Sequence, residues 1–441
     1  MSTEAPNVFA LEQSERSSLT ADFSWTFAGN AIYAAGQFAL LMLLTKLVQP
    51  EQVGQYALGL ALVYPVMMLS NMQLRSVMNS SANDKPQFGH YLSLRLISTL
   101  TAFAVIFGIT RLLRYDWTLT AVVLMVGVAY GFETISDVYY ARLQLHDRMA
   151  EISKSLMARA VLSVILLAAA TYVTRSVVWG VVGIAVARAI VLFGYDTRGR
   201  THFLRTQPKW YLLNAELAPR FDGREQRELF WRSLPLGIVV LLTTLNSSIP
   251  SFFIQHGIGE RDLGIFSALG LTISVGNMAV VSLGQSAFTR LSRAYASGNV
   301  AAFGSLLVVL LACGAGLGVC GMLISKFAGR EILSLLFRPE YAERAELLPW
   351  IMAAGAVLFM AQFVGFGLTA AGFYHSQVYL NILANLSLVV ACFWLVAGKG
   401  LLGAIIAMLI AATVQLLASA VVLAVALRTK ASMQTVPMGA A

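Results

Sequence analysis

Charge is scarce in this sequence. Asp, Glu, Lys and Arg together make 12% of its 441 residues, against roughly a quarter in an average soluble domain. An ordinary soluble enzyme is excluded, since its water-facing surface has to be charged. Cysteine is nearly missing too. Cys313, Cys320 and Cys392 all fall in apolar runs without the close Cys/His spacing of a metal site, so they are read as small packing residues and no metal is expected. There is no Gly-rich loop ending in Lys-Ser/Thr, which excludes ATP hydrolysis by a phosphate-cradling loop and leaves an H+ or Na+ gradient, the membrane potential or the substrate itself to supply energy. The first residues, Met1 to Asp22, lack the basic start and short apolar core of a signal peptide and read as a retained, partly disordered cytoplasmic tail.

Hydrophobic residues, at 58%, fill the space that charge leaves. A membrane-crossing helix needs about 20 mainly apolar residues. Runs of that length are predicted near 23–48, 53–74, 88–113, 118–141, 152–173, 177–197, 229–255, 262–287, 300–325, 346–371, 375–397 and 401–427. The fold class is therefore an all-α polytopic membrane protein of about twelve transmembrane helices. An even number of spans puts both ends on one side. Lys and Arg in the tails, the breaks and the span ends beside them number 17 on one side and 10 on the other, so the positive-inside rule assigns both termini to the cytoplasm. The net charge of +9 is dispersed through these breaks without interleaved aromatics, which argues against nucleic acid as a partner. The longest break, 198–228, is basic and contains Pro208 and Pro219, the composition of a linker lying against anionic lipid.

That linker separates two similar halves. Pro50–Leu58 (PEQVGQYAL) parallels Glu260–Ala268 (ERDLGIFSA), with Gly54 over Gly264; Phe88-Gly89 parallels Phe303-Gly304; Gly180-Val-Val-Gly183 parallels Gly400-Leu-Leu-Gly403. Six spans per half give both the same orientation, related by a pseudo-two-fold axis along the membrane normal, with a substrate path between them. The expected domains are a tail at 1–22, an N-lobe at 23–197, the linker at 198–228, a C-lobe at 229–427 and a tail at 428–441.

Charges inside spans are costly, at least about 2.5 kcal/mol at the bilayer centre, and so mark function by default. Arg95, Glu133, Arg159 and Arg188 sit at a common depth, about 10 to 14 Å from the cytoplasmic ends at 1.5 Å per residue, and Asp137 lies on the same helical face as Glu133. Arg232 opens the seventh span, and Arg75, just past the second, extends the positive region. A water-accessible cavity of this character suits an anionic group such as a diphosphate, because guanidinium binds phosphate oxygens in a fixed bidentate geometry. The bland alternative is that these arginines snorkel, or pair with Glu133 and Asp137 to hold the bundle. The second half offers amides instead, among them Asn246, Asn277, Gln362 and Asn385, which suit sugars but more often join helices. Trp25, Tyr33 and Tyr64 are candidates for stacking on sugars. Glu331–Arg344 (EILSLLFRPEYAER) reads as an amphipathic piece on the outer surface before the tenth span.

The polar start running into the first span, Lys46–Leu58 (KLVQPEQVGQYAL), the turn at Phe88-Gly-His-Tyr91 and Leu335-Leu-Phe-Arg-Pro-Glu-Tyr341 resemble those of the Wzx-type polysaccharide repeat-unit flippases. The superfamily also holds multidrug and toxic-compound extruders and lipid II flippases. The resemblance implies a non-enzymatic flippase of the bacterial inner membrane that moves undecaprenyl-diphosphate-linked oligosaccharides outward by alternating access. It implies Arg75, Arg95, Arg159 and Arg188 on the anionic groups, Glu133 and Asp137 as coupling carboxylates, no cofactor, and membrane lipids, a polysaccharide polymerase and a chain-length regulator as partners. The alternatives are a cation-coupled multidrug antiporter of the same fold, which the excess of arginine disfavours, and a membrane-embedded polymerase or acyltransferase, for which paired catalytic residues are missing.

Overall fold

The computed structural model describes residues 8–80, 88–197 and 218–435, with side chains over 24–80, 88–197 and 218–430. Most of the basic linker, 198–217, and the ends of both tails lie outside the described residues. The described chain is helix and turn throughout, with no strand. That is the arrangement hydrocarbon demands of apolar segments, since each backbone N–H and C=O is then satisfied within its own helix. The helices are α1 (Val8–Leu47), α2 (Pro50–Asn71), α3 (Leu74–Ser80), α4 (Phe88–Leu112), α5 (Trp117–Leu145), α6 (Met149–Thr174), α7 (Val177–Val191, continued by a π-turn over Leu192–Asp196), α8 (Gly223–Gly257), α9 (Glu260–Ala296), α10 (Val300–Leu336), the short α11 (Pro339–Ala342), α12 (Leu348–Ala370) and α13 (Tyr374–Thr435).

Among the described residues eleven helical stretches are long and apolar enough to cross a bilayer. The last, 57 residues from Tyr374 to Lys430, would be about 85 Å long if straight, nearly three times the ~30 Å hydrocarbon core. It is not straight. Gly400 stands at φ 60°, ψ −136°, a conformation that favours glycine, and breaks α13 into two membrane-length arms. The twelve expected spans are therefore present.

Three expectations are corrected. Residues 8–22, expected in a partly disordered tail, continue α1 as helix. Glu331–Arg344, expected as one amphipathic piece, is not a separate element: its first six residues finish α10, Phe337 is extended, and Pro339 starts the single turn of α11, where Phe337 and Tyr341 are buried. Of the cysteines, Cys392 is buried as expected, whereas Cys313 and Cys320 face outward from α10.

The helices group into two compact units, one containing the chain up to Leu47 with Val66–Ile238, the other Val48–Pro65 with everything from Val239. Relative to lobes drawn at 23–197 and 229–427, these units exchange 48–65 and 229–238. Only α2 and α8 belong to both, and each changes unit at or near a proline, Pro65 and Pro235, where the helix lacks one backbone hydrogen bond. In the first unit α6 packs along α1 and α7, and α5 against α4 and α7. In the second, α12 packs on α9, α10 and α13 around Val280, Phe303, Phe359, Phe363 and Leu423.

The internal repeat is visible in the packing. A Cβ on Gly54 would lie 1.8 Å from the carbonyl oxygen of Glu260, and one on Gly264 2.0 Å from that of Pro50. Each glycine thus meets the carbonyl four residues before the other, a reciprocal contact of the kind a local two-fold axis produces, and only glycine allows the backbones so close. Gly183 and Gly403 also play one role, each pressed against a carbonyl of the preceding helical arm, Leu166 at 2.6 Å and Leu395 at 2.0 Å. The third match is weaker: Gly89 meets the Ala218 carbonyl, while Gly304 has open space around it.

Candidate functional site

The site is built on one face of α5. Tyr130, Glu133, Asp137, Tyr140 and Gln144 follow one another at spacings of three and four, which aligns them as a single polar stripe. Arginines from four helices converge on it, and together they form two adjoining groups within the first unit.

In the first group Glu133 is shared. Its Oε2 lies 2.7 Å from Arg188 Nη1 and its Oε1 3.8 Å from Arg159 Nη1, and the Tyr33 hydroxyl donates to Oε1. The Arg188 guanidinium also covers the Tyr130 ring at 4.7 Å. Arg159 belongs to a closed ring of contacts: its Nη2 donates to the Tyr140 hydroxyl at 2.7 Å, Tyr140 donates to Ser155 Oγ at 2.7 Å, Ser155 donates to Asp196 Oδ1 at 2.5 Å, and Asp196 Oδ2 lies 3.5 Å from Arg159 Nη2. Ser155 and Arg159 are one turn apart on α6, so one helix supplies both ends of the ring. Asp196 arrives on the π-turn after α7, a distortion often found at functional sites.

In the second group Asp137 is shared, between Arg75 at 3.5 Å and Arg95 at 3.9 Å. Arg75 Nε donates to Gln144 Oε1 at 2.8 Å, and Arg95 reaches the Ser70 carbonyl and Asn71 Oδ1 at 3.3 and 3.2 Å, which ties the end of α2 to α4. Arg95, Arg159 and Arg188 are 0–2% exposed, whereas the side chains of Glu133, Asp137 and Arg75 keep 22%, 24% and 31%. The buried arginines are held from behind, and the carboxylates form the accessible edge. Such burial is sustained only when each guanidinium has an anionic or polar partner.

Every charged candidate of the first half is thus brought into one neighbourhood. Arg232 is not; it is exposed on α8. Tyr33 meets Glu133 directly, and Trp25 stands at the surface, 40% exposed beneath the Lys154 ammonium. Asp196, Tyr140 and Ser155 are absent from the expectations above. Asp196 sits where the sixth span ends and reads as a boundary residue, but the polar stripe through Tyr140 was open to a search for helical periodicity. In the second unit Gln362 donates to Asn277 Oδ1 at 2.7 Å, and Asn385 donates to the Leu242 carbonyl at 2.7 Å, joining α13 to α8. Asn246, one turn beyond Leu242, is half-buried. Among the described residues no group of three His, Cys, Asp or Glu side chains could hold a metal ion.

Twelve membrane-length helices with an internal repeat, and a buried cluster of arginines in one unit, define a multi-pass membrane protein of transporter architecture. The chain belongs to the polysaccharide biosynthesis protein family, whose sequence pattern matches residues 19–295. The capsular polysaccharide biosynthesis protein CapF of Staphylococcus aureus is 25% identical over 402 residues, 90% of this chain and 97% of that one. Among solved structures, the fold is similar to the lipid II flippase MurJ in an inward closed conformation (TM-score 0.70, 10% identity, 93% of this chain and 90% of that one). It is also similar to an inward-facing multidrug resistance transporter of the MATE family (TM-score 0.62, 13% identity, 94% and 96%). The family match and the capsular relative bear out the polysaccharide family read from the sequence, and the solved structures bear out its fold.

Proposed function

We propose that the protein moves undecaprenyl-diphosphate-linked oligosaccharide repeat units from the cytoplasmic to the periplasmic leaflet of a bacterial inner membrane by alternating access, with both termini cytoplasmic, for assembly of a surface polysaccharide such as O-antigen or exopolysaccharide. The observation that carries this reading is the gathering of Arg75, Arg95, Arg159 and Arg188 around one face of α5. Guanidinium groups gathered behind an accessible edge of Arg75, Glu133 and Asp137 suit phosphoryl oxygens, and they repel the organic cations that a multidrug antiporter of this fold would carry. Membership in a polysaccharide family, and a relative named for capsular polysaccharide, support a sugar-bearing lipid as the cargo. Asn246, Asn277, Gln362 and Asn385 of the second unit are the sugar contacts on this reading, and Glu133 and Asp137 answer to an H+ or Na+ gradient or to the membrane potential. A polymerase and a chain-length regulator receive the product.

Deleting the gene tests the proposal. The expected result is loss of surface polysaccharide together with accumulation of diphosphate-linked lipid oligosaccharide in the inner leaflet. Normal polysaccharide with altered drug sensitivity would sink it.

A further inference from the structure

We infer that Glu133 and Asp137 are resting counter-anions: each holds, between two arginines, the place of one phosphoryl group of the substrate, gives it up when the diphosphate binds, and takes it back to expel the cargo. The inference rests on the diphosphate reading of this site and assigns the carboxylates a task within it.

Four observations lead there. Each carboxylate is divided between two arginines, Glu133 between Arg159 and Arg188 and Asp137 between Arg75 and Arg95, one turn apart on α5. Three of these four pairs are slack. A closed guanidinium–carboxylate hydrogen bond is about 2.7–2.9 Å; only Arg188 to Glu133, at 2.7 Å, comes that close, as an ion pair whose atoms are not aligned for a hydrogen bond, and the others stand at 3.5, 3.8 and 3.9 Å. The Nε groups of Arg95 and Arg159 are buried without a hydrogen-bond partner, so donors remain for an acceptor that brings more oxygens than a carboxylate. Last, the two shared carboxylates keep 22% and 24% of their side-chain surface accessible, while the Asp196 side chain is fully buried and bonded to Ser155.

The charges balance. A sugar-bearing lipid diphosphate carries one negative charge on each phosphoryl group, so it exchanges for the two carboxylates without altering the net charge around the four arginines. Asp196 stays behind, keeping Arg159 aimed in both states. Loading is then an exchange of anions among fixed arginines, and affinity is set by how well the carboxylates compete. A site made of arginines alone would bind the diphosphate tightly and release it slowly.

The test measures binding of undecaprenyl diphosphate to the full-length protein in lipid nanodiscs, with undecaprenol as the phosphate-free probe. Wild type preferring the diphosphate supports the reading of the site; equal binding of both probes overturns that reading and the counter-anion role with it. Given the preference, Glu133→Gln and Asp137→Asn each lower Kd about tenfold, the size of one charge-assisted hydrogen bond released to the ligand, and slow transport in vesicles. Asp196→Asn does not tighten binding. Well-folded Glu133→Gln and Asp137→Asn proteins that bind like wild type, or more weakly, overturn the counter-anion role and leave the diphosphate reading standing. If these variants do not fold, carbodiimide labelling of the wild type decides: undecaprenyl diphosphate raises labelling of Glu133 and Asp137 and leaves Asp196 unchanged, whereas unchanged or reduced labelling of the first two overturns the role.

Discussion

The two units keep their charges in different places. In the first, Arg95, Glu133, Arg159, Arg188 and Asp196 lie within the spans and bind α4, α5, α6 and α7 together. In the second, the interior around Phe303, Phe359 and Phe363 is apolar, and ion pairs collect where helices end: Arg261 with Glu51 and Glu340, Arg338 with Glu340, Arg344 with Asp262. Sequence similarity between the halves means one architecture tolerates both interiors. What differs between them is therefore attributable to use: an architecture that closes well on phenylalanine has no need of buried arginine for stability.

The comparison breaks most readily at Arg159. Arg159→Ala leaves Asp196 buried without its ionic partner and Glu133 with only Arg188, and is expected to cost about 3–5 kcal/mol, seen as a large fall in the midpoint of thermal unfolding in detergent. Next comes Arg188, whose replacement by Ala removes the nearest cation to Glu133 and is expected to weaken binding of the lipid diphosphate by about 1.5–3 kcal/mol. Arg188→Lys restores the charge without the fork and recovers export in part. Unchanged polysaccharide export in both variants would reduce Arg188 to a packing residue. In the second unit the corresponding weak point is geometric. Gly264→Ala drives a methyl group into the Pro50 carbonyl and is expected to cost about 1–3 kcal/mol while leaving the diphosphate affinity of the surviving protein unchanged.

Hydropathy made the spans legible because a bilayer punishes polar backbone and side chains so uniformly that twelve apolar runs allow few other readings. It measures the edge of the membrane, however, and not the end of a helix. The fall in hydropathy after Lys326 therefore suggested a new surface element where α10 simply runs on to Leu336. Depth in the sequence also foretold which charges of the first half would meet, but not which arginine takes which carboxylate, since that depends on helix rotation. Asp196 escaped because its neighbours only become its neighbours through a π-turn. Two of the segments that carry the family resemblance lie elsewhere: Arg338 of the Leu335–Tyr341 stretch donates to the Val48 carbonyl in the Lys46–Leu58 stretch, at 3.2 Å. These two stretches form a joint of the scaffold, whereas charge and depth mark the arginine site.

The smallest expected effect draws the contrast most finely. Arg261 lies 3.2 Å from Glu51 and 4.0 Å from Glu340, but its side chain is 55% exposed, and it donates from the end of a helix where water competes for every contact. Arg261→Ala is expected to cost about 0.2–1 kcal/mol, and the difference from wild type shrinks as salt rises to 1 M, where the screening length is about 3 Å. The loss in Arg159→Ala persists at the same salt, because ions do not enter a side chain that is 2% exposed. Thermal unfolding of the two variants across a salt series therefore measures where each unit keeps its charge. A salt-insensitive loss of several kcal/mol at Arg261 would mean that the second unit too is held by its ion pairs, and the difference in use argued from buried arginine would no longer follow.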